Sequence, residues 1–132
     1  AAGQGVQVEP WVERVVDFSR HGYLTRSGEL YVGPVREQHV DAMGRFEGTA
    51  REPLQLTNTE DDAVRRSLEQ TARALVALGY SGPFGLDGFR YRAADGSLAL
   101  NPRCEINARF TMGYPRALLE QGLAAEACQG HP

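Results

Sequence analysis

Apolar and polar residues in the first half of the chain follow a pattern that predicts β-strands. Two β-rich runs, residues 15–23 and 29–35, flank the turn residues 25–28 (TRSG), in which Gly28 supplies a positive φ. Residues 38–50 follow a less regular pattern and are interpreted as one further strand. These strands are expected to form part of one sheet.

One segment has clear helical periodicity. Thr59 is predicted to cap it, with Asp62 as the capping-box partner, and Gly79 is predicted to end it as a C-cap glycine. The apolar residues that recur on one face are Val64, Leu68, Ala72, Leu75 and Leu78. The opposite face carries arginines and a glutamate, which are interpreted as solvent-exposed. This helix is therefore predicted to be structural scaffold.

The last third of the chain predicts two strands, residues 84–91 and 98–110, joined by the loop residues 94–96 (ADG). A helical stretch is expected from Pro115, ending at Gly122. Together the elements predict an α+β fold in a single domain of residues 1–132. Its mainly antiparallel sheet is expected to have helices on one face.

Strict alternation in residues 98–110 separates two faces of that strand. The even positions are apolar and are expected in the core: Leu98, Leu100, Pro102, Cys104, Ile106, Ala108 and Phe110. The odd positions from 101 onward are polar: Asn101, Arg103, Glu105, Asn107 and Arg109. Glu105 and Asn107 are therefore expected to point outward together.

A three-residue loop fixes the expected register of these two strands. It places Asp87 opposite Arg103 and diagonal to Glu105, so that Asp87, Glu105 and Asn107 share one face. Two carboxylates and an amide oxygen suit Mg²⁺, an oxygen-seeking ion that binds nucleotide phosphates. A strand with an ordinary solvent-exposed polar face is the alternative.

Three segments resemble the C-terminal half of an ATP-grasp domain: residues 79–80 (GY), 82–89 (GPFGLDGF) and 105–109 (EINAR). That superfamily includes biotin carboxylase, carbamoyl phosphate synthetase and D-alanine–D-alanine ligase. Its enzymes use ATP to activate a carboxylate as an acyl phosphate and transfer the acyl group to a nucleophile, commonly an amine. The resemblance therefore implies an ATP-dependent ligase.

The resemblance also implies residue roles. It assigns the ligands of the metal ions on the ATP phosphates to Asp87, Glu105 and Asn107, with Mg²⁺ expected and Mn²⁺ as an alternative. Arg109, two residues after the asparagine, would face the transferred phosphoryl group or acyl phosphate, and is the expected catalytic residue.

Residues 9–12 are similar to the hinge between the two ATP-grasp subdomains, which implies an ATP-binding role for Glu9, Pro10, Trp11 and Val12. The Pro10 carbonyl and the Val12 N–H would contact the adenine edge. Asp17 is the candidate for the ribose hydroxyls, with Glu9 second. Burial of Trp11 in the core and a strand-edge charge at Asp17 are the alternatives.

Two features depart from the superfamily pattern. Ala108 stands where many members have proline, and Asn101-Pro102-Arg103 occurs earlier but has Ala99 where a glutamate is needed, so the frame on Glu105 is preferred. The likeness also covers only the second subdomain. The first, with its phosphate-binding lysines, has no counterpart in this lysine-free chain.

The chain is therefore expected to be part of a larger ligase, with little or no activity alone. Its partners would be the missing N-terminal subdomains, ATP, a small carboxylate and a nucleophilic acceptor. The alternative is a non-catalytic binding module that contacts a partner protein through the polar face of the sheet. A ligase requires Asp87, Glu105 and Asn107 to converge and to be open to solvent, whereas a binding module tolerates them apart.

Composition narrows these possibilities further. With 42% hydrophobic and 23% charged residues, the 132-residue chain is typical of a globular domain. A net charge of −3 argues against a nucleic-acid partner, and no apolar run approaches the ~20 residues of a membrane span. Cys104 and Cys128 fit neither a metal quartet nor a disulfide framework, which favours a cytoplasmic location.

Overall fold

The computed structural model describes residues 5–112. This part of the chain contains five strands and one helix. In chain order they are β1 (Glu13–Leu24), β2 (Leu30–Val40), β3 (Phe46–Pro53), α1 (Asn58–Ala77), β4 (Gly82–Arg92) and β5 (Leu98–Asn107). The helical stretch expected from Pro115 lies outside the described residues, as does Cys128.

The strands form one antiparallel sheet in the order β3-β2-β1-β4-β5, with α1 packed on one face. The prediction of an α+β fold with a mainly antiparallel sheet is confirmed. β1 lies at the centre, because it pairs with β2 on one side and with β4 on the other. No helix in the described part of the chain combines the length and apolarity that a membrane span requires.

Both predicted hairpin turns are confirmed. Gly28 adopts φ +87° between β1 and β2, and Gly96 adopts φ +84° between β4 and β5. In the second turn the Ala93 N–H donates to the Ser97 carbonyl at 2.8 Å, which closes a three-residue loop. A side chain at either glycine would strain the backbone, since L-residues rarely adopt such φ values.

The prediction of one strand over residues 38–50 was wrong, because this segment contains a turn. β2 ends at Val40 and β3 begins at Phe46. Between them the Asp41 carboxylate accepts hydrogen bonds from the backbone N–H groups of Met43 and Arg45, at 2.8 and 2.9 Å. A short acidic side chain that satisfies two backbone donors stabilises a turn in place of an extended strand.

The helix begins two residues earlier than predicted, with Thr57 rather than Thr59 as the N-cap. Thr57 Oγ1 accepts from the Glu60 N–H at 3.2 Å, and the Glu60 carboxylate accepts from the Thr57 N–H at 2.9 Å. Glu60 replaces the predicted Asp62 because its longer side chain reaches back to the cap. At the other end the prediction is confirmed, since Gly79 adopts φ +77° directly after the C-cap residue.

The core lies between α1 and the sheet. The fully buried helix residues Val64 and Leu68 pack against apolar side chains of β1, β2 and β4. Those partners are Phe18, Leu24, Val35, Phe84 and Leu86. Burying each such side chain contributes about 1.5–3 kcal/mol. Leu78, expected on the same face, is 83% exposed, because it is the C-cap residue beyond the last helical turn.

The predicted core face of β5 is only partly buried. Leu100 packs against the core, but Leu98 and Ile106 are 60% and 46% exposed, and Cys104 and Phe110 are also exposed. β5 is the outer strand of the described sheet, so β4 is its one neighbour there. Alternation correctly separated Leu100 from Glu105 and Asn107, but it failed at two positions between them, because Arg103 donates to Thr71 on α1 and Cys104 lies on the side of Glu105. The burial expected for the apolar face was also wrong at these exposed positions.

Candidate functional site

A cavity of about 590 Å³ opens on the sheet face opposite α1. On β4, and on β1 after the register shift between Arg14 and Val16, the even positions face the helix, as Phe18 and Leu86 show. Asp17 and Asp87 line the cavity. The charged and amide side chains around it are Glu9, Arg14, Asp17, Gln38, Asp87, Glu105, Asn107 and Arg109. The cavity therefore collects polar groups from β1, β2, β4, β5 and the N-terminal segment.

Asp87 lies directly opposite Glu105, not opposite Arg103 as the loop length predicted. The expected register holds from the turn as far as the pair Phe89–Asn101. It then shifts, because four residues of β5 span two residues of β4. Since the number of extra residues is even, Glu105 stays on the predicted face.

Gly88 accommodates this shift in register. An added Cβ there would lie 2.6 Å from Cζ of Phe18 and 2.7 Å from the carbonyl oxygen of Asn101. Both distances are shorter than van der Waals contact, so a side chain at position 88 would push β5 away from β4. Gly88 therefore permits the close approach of β4 and β5 that brings Asp87 and Glu105 opposite each other.

Asp87 is held by two neutral amides. Gln38 Nε2 donates to Asp87 Oδ1 at 3.3 Å, and Asn107 Nδ2 donates to Oδ2 at 3.0 Å. Burial, and then the charge of Glu105, raise the pKa of Asp87 to about 6, although both hydrogen bonds and Arg109 act in the opposite direction. The charged form of Asp87 is thus destabilised, and the carboxylate takes up a proton as the pH falls through about 6.

Arg109 joins the same group of side chains. Its Nη2 donates to Asn107 Oδ1 at 3.1 Å, so Asn107 bridges Asp87 and Arg109. Glu105 and Arg109 are exposed, whereas Asn107 is buried. The four residues predicted from the EINAR and LDGF segments therefore lie together on one wall of the cavity, where Glu105 and Arg109 are open to solvent.

The donor set suits an oxygen-seeking cation, although it is not preformed. Asn107 turns its amide nitrogen toward Asp87, so its oxygen faces a cation only after the amide rotates. Within residues 5–112, no three His, Cys, Asp or Glu side chains are grouped to hold a metal ion. Two opposed carboxylates nevertheless fit a divalent ion, because it would relieve the repulsion from Glu105 that adds to the effect of burial on the pKa of Asp87.

The residues predicted to bind ATP lie at one side of the cavity or next to it. Residues 9–12 have no regular secondary structure; Glu9 lines the cavity, Pro10 is exposed and Val12 is half-buried. Trp11 is completely exposed, so the alternative of core burial was wrong. Trp11 stands in the sequence between Glu9 and Arg14, which both line the cavity, and its indole is open to solvent.

Asp17 also lines the cavity, where it forms an ion pair with Arg14 at 2.9 Å. It pairs across the sheet with both Gln38 and Phe89, so the alternative of a strand-edge charge was wrong. Arg14 lies over the ring of Phe89, with its guanidinium carbon 4.0 Å from the ring centroid. This places a fixed positive charge beside Asp17 in the cavity.

Sequence reasoning missed two contributors to this face. Gln38 supports Asp87 from β2, and His21 on β1 bonds Thr111 beyond the end of β5. Alternation along β2 could have shown which face Gln38 occupies. Predicting that it reaches Asp87 would also have required the register of β2, β1 and β4. No local motif surrounds His21, whose burial lowers its pKa to about 4 and keeps it neutral.

Comparison with known proteins gives a match in fold and none in sequence, since neither family models nor curated proteins match the chain. The chain superposes on D-alanyl-alanine synthetase A from Vibrio cholerae with a TM-score of 0.55 and 18% identity, over 85% of this chain and 34% of that one. It superposes on N5-carboxyaminoimidazole synthetase from Staphylococcus aureus, complexed with ADP, with a TM-score of 0.54 and 16% identity. This match covers 79% of this chain and 25% of that one.

A third structure, the phosphoribosylaminoimidazole carboxylase ATPase subunit from Aquifex aeolicus, gives a TM-score of 0.52 and 20% identity, over 77% of this chain and 28% of that one. The chain thus spans about a quarter to a third of the length of these proteins. Its fold is that of an ATP-grasp subdomain, as the resemblance implied.

Proposed function

We propose that the chain is the C-terminal part of an ATP-dependent carboxylate ligase. The complete enzyme would activate a small carboxylate as an acyl phosphate and transfer it to an amine or a similar nucleophile. The observation that carries this proposal is the convergence of Asp87, Glu105, Asn107 and Arg109 on one cavity wall. The fold likeness to synthetases, one of them complexed with ADP, supports ATP as the ligand.

In this proposal Asp87, Glu105 and Asn107 hold Mg²⁺, or Mn²⁺, at the nucleotide phosphates. The ion would neutralise charge that develops on the transferred phosphoryl group. Gln38 keeps the Asp87 carboxylate oriented through its hydrogen bond. Arg109, exposed beside them, donates from its guanidinium to the phosphoryl oxygens, a contact that guanidinium groups make in a planar, two-pronged geometry.

The nucleoside is proposed to bind at the N-terminal side of the cavity. The Pro10 carbonyl and the Val12 N–H would pair with the adenine edge, and the exposed Trp11 ring would cover the base. Asp17 and Glu9 both line the cavity, which supports them as acceptors for the ribose hydroxyls. Because Arg14 already pairs with Asp17, ribose binding would compete with that exposed ion pair.

The remainder of the enzyme is proposed to lie outside this chain. The solved structures that it resembles are about three to four times as long as the matched segment. The chain has no lysine, so lysines that hold phosphate in the complete site must come from elsewhere. The convergence of the four side chains favours this ligase over the non-catalytic binding module, which does not require it.

Metal-dependent nucleotide binding tests the proposal. Mn²⁺ binding in the presence of ATP would be followed by electron paramagnetic resonance for the chain and for Glu105→Gln, with Glu47→Gln, an exposed β3 residue outside the cavity, as the matched control. We expect the chain to bind ATP more weakly than micromolar, because the proposed nucleotide site is shared with a subdomain that this chain does not contain. This binding should be lost in Glu105→Gln and retained in Glu47→Gln.

In the full-length enzyme Glu105→Gln should abolish ATP-dependent ligation while circular dichroism shows the fold intact. Unchanged turnover in that variant, or equal Mn²⁺ binding by both glutamate variants, would contradict the assignment. Micromolar or tighter ATP binding by the 132-residue chain would contradict the expectation that the nucleotide site is shared with missing subdomains.

A further inference from the structure

Residues 107–111 leave the end of β5 as a short segment that is fixed at both ends. At its start, Asn107 Nδ2 donates to Asp87 Oδ2 at 3.0 Å. At its end, a 2.7 Å hydrogen bond joins Thr111 Oγ1 to His21 Nε2 on the central strand β1. Arg109 lies between the two attachment points, and residues 108–111 belong to no strand or helix.

The second attachment depends on a row of three residues across the sheet. His21 pairs with Gly85, and Gly85 pairs with Asn107. An added Cβ at Gly85 would lie 3.1 Å from Cδ2 of His21 and 3.8 Å from Cγ2 of Thr111. Because Gly85 has no side chain, the His21 ring and Thr111 meet in the space above β4. His21 is only 2% exposed, so its ring cannot turn away without repacking.

We propose that His21 and Thr111 are positioning residues that fix the guanidinium of Arg109 on the cavity wall beside Asp87 and Glu105. The role given to Arg109 rests on the proposed function, whereas the hydrogen bond and its effect on the segment do not. Without the second attachment, the end of the segment would lose its hydrogen bond to the central strand. Arg109 would then sample orientations away from the cavity, because its other side-chain bond goes to the carbonyl of its neighbour Phe110.

The test compares Thr111→Val, which keeps the shape but loses the hydroxyl, with Thr111→Ser, which keeps the hydroxyl. Thr25→Val is the matched control, because it removes a threonine hydroxyl that bonds the Glu29 N–H in a distant turn. Two readouts need no nucleotide. They are hydrogen exchange of the amides of residues 108–112 and the nuclear magnetic resonance order parameter of the Arg109 Nε–H group.

Loss of one neutral hydrogen bond corresponds to about a five-fold change in population. Thr111→Val should therefore speed exchange in residues 108–112 by about five-fold and lower the Arg109 order parameter. Thr111→Ser and Thr25→Val should resemble the parent protein. Gly85→Ala pushes a methyl group against His21 and should reproduce the effect of Thr111→Val. The variant that combines Gly85→Ala with Thr111→Val should exchange little faster than either single variant.

An unchanged Arg109 order parameter in Thr111→Val overturns the inference, as does an equal loss in Thr111→Ser. If Arg109 loses order as expected but the parent enzyme proves unable to bind Mg²⁺ and ATP, the positioning stands and the proposed function fails. In an active full-length ligase, Thr111→Val should lower kcat with little change in KM for ATP, since Arg109 is proposed to act at the transferred phosphoryl group. An unchanged kcat together with a lowered Arg109 order parameter would contradict the role proposed for Arg109 and leave the positioning intact.

Discussion

Arg90 and Asp87 lie three positions apart on β4, on opposite faces of the sheet, and their charges are compensated differently. Arg90 faces α1, where its Nε and Nη2 donate to both carboxylate oxygens of Glu60 at 2.8 and 2.7 Å. Asp87 faces the cavity, where another carboxylate lies opposite and the two hydrogen bonds come from neutral amides. Arg90 lowers the pKa of Glu60 to about 2, whereas burial raises the pKa of Asp87 to about 6.

The difference separates a charge that stabilises the fold from a charge that is available to a ligand. The Glu60 carboxylate also completes the capping box, so a single side chain joins the start of α1 to β4. Asp87 is ionised at a cost to stability that its two hydrogen bonds and Arg109 offset only in part. Strongly perturbed carboxylates in cavities are typical of functional sites, and this contrast supports the cavity face as the functional one.

The largest effect on stability is expected from Glu60→Ala. The change leaves Arg90 without its carboxylate at a position where both side chains are less than 20% exposed, and it removes one half of the capping box. We expect a loss of about 2–3 kcal/mol in the free energy of unfolding, measured in urea at pH 7.5. Asp62→Asn, at an exposed helix position, is the control and should change it by less than about 0.5 kcal/mol.

The pH dependence of the Glu60 contribution has a defined sign. Its folded pKa of about 2 lies below the ordinary 4.5, so the stabilisation is present above pH 4.5 and is lost as the pH falls toward 2. The difference in stability between the parent and Glu60→Ala should therefore shrink across that window. A difference that stays constant between pH 5 and 2.5 would show that the ion pair does not carry the effect.

Asp87→Asn is expected to have the opposite sign and a smaller size. The folded pKa of Asp87, about 6, lies above the ordinary 3.8, so stability is lost as the pH rises from 3.8 through 6. At pH 7.5 the substitution should stabilise the protein by about 1–2 kcal/mol after solvent screening, and at pH 4 the gain should largely disappear. Urea unfolding at both values measures this.

Asp95→Asn is the matched control for that prediction. Hydrogen bonds from Ser97 lower the pKa of Asp95, which lies in the exposed β4–β5 turn. Its removal should therefore bring no gain in stability at pH 7.5. If Asp87→Asn destabilises the protein at that pH, the two faces of β4 do not differ in the way described, and Asp87 is a structural residue like Glu60.

The parts of the fold that were predicted depend on local chemistry. Gly28, Gly96 and Gly79 each stand where a turn or a helix end needs a positive φ, and the structure confirms all three. The buried face of α1 was predicted at Val64 and Leu68, because helical spacing alone determines which residues share a face. By contrast, the Asp41 turn was missed, since one acidic residue interrupts a run that otherwise resembles a strand.

For the candidate site, the shared face of Asp87, Glu105 and Asn107 could be predicted from the sequence, whereas the pairing of the two strands there could not. Alternation put Glu105 and Asn107 on one face, and that assignment survived the register shift because the shift is even. The shift itself depends on how closely β5 approaches Gly88, which is a tertiary property. Gln38 reaches Asp87 across two strands, and His21 meets Thr111 ninety residues away, so neither contact leaves a pattern in the neighbouring sequence.

The smallest expected effect is stabilisation by a divalent cation, which would supply the opposite charge that the cavity face lacks. An ion that binds the folded chain alone adds RT ln(1 + [ion]/Kd), or about 1.4 kcal/mol at ten times the Kd. We expect 10 mM MgCl₂ to stabilise the parent by about 1 kcal/mol in urea at pH 7.5, compared with KCl at equal ionic strength. At pH 5 the effect should shrink, because Asp87 is then mostly protonated and a proton competes with the ion.

The same salt titration on Asp87→Asn and Glu105→Gln separates specific binding from general screening of this acidic chain. Each variant keeps the size of the side chain but removes one of the two opposed charges, so the Mg²⁺ effect should vanish in both. Glu60→Ala is less stable but retains the cavity carboxylates, so its Mg²⁺ increment should match that of the parent. An equal increment in Asp87→Asn would place the ion elsewhere on the surface. The contrast between Asp87 and Arg90 would then no longer identify a ligand site.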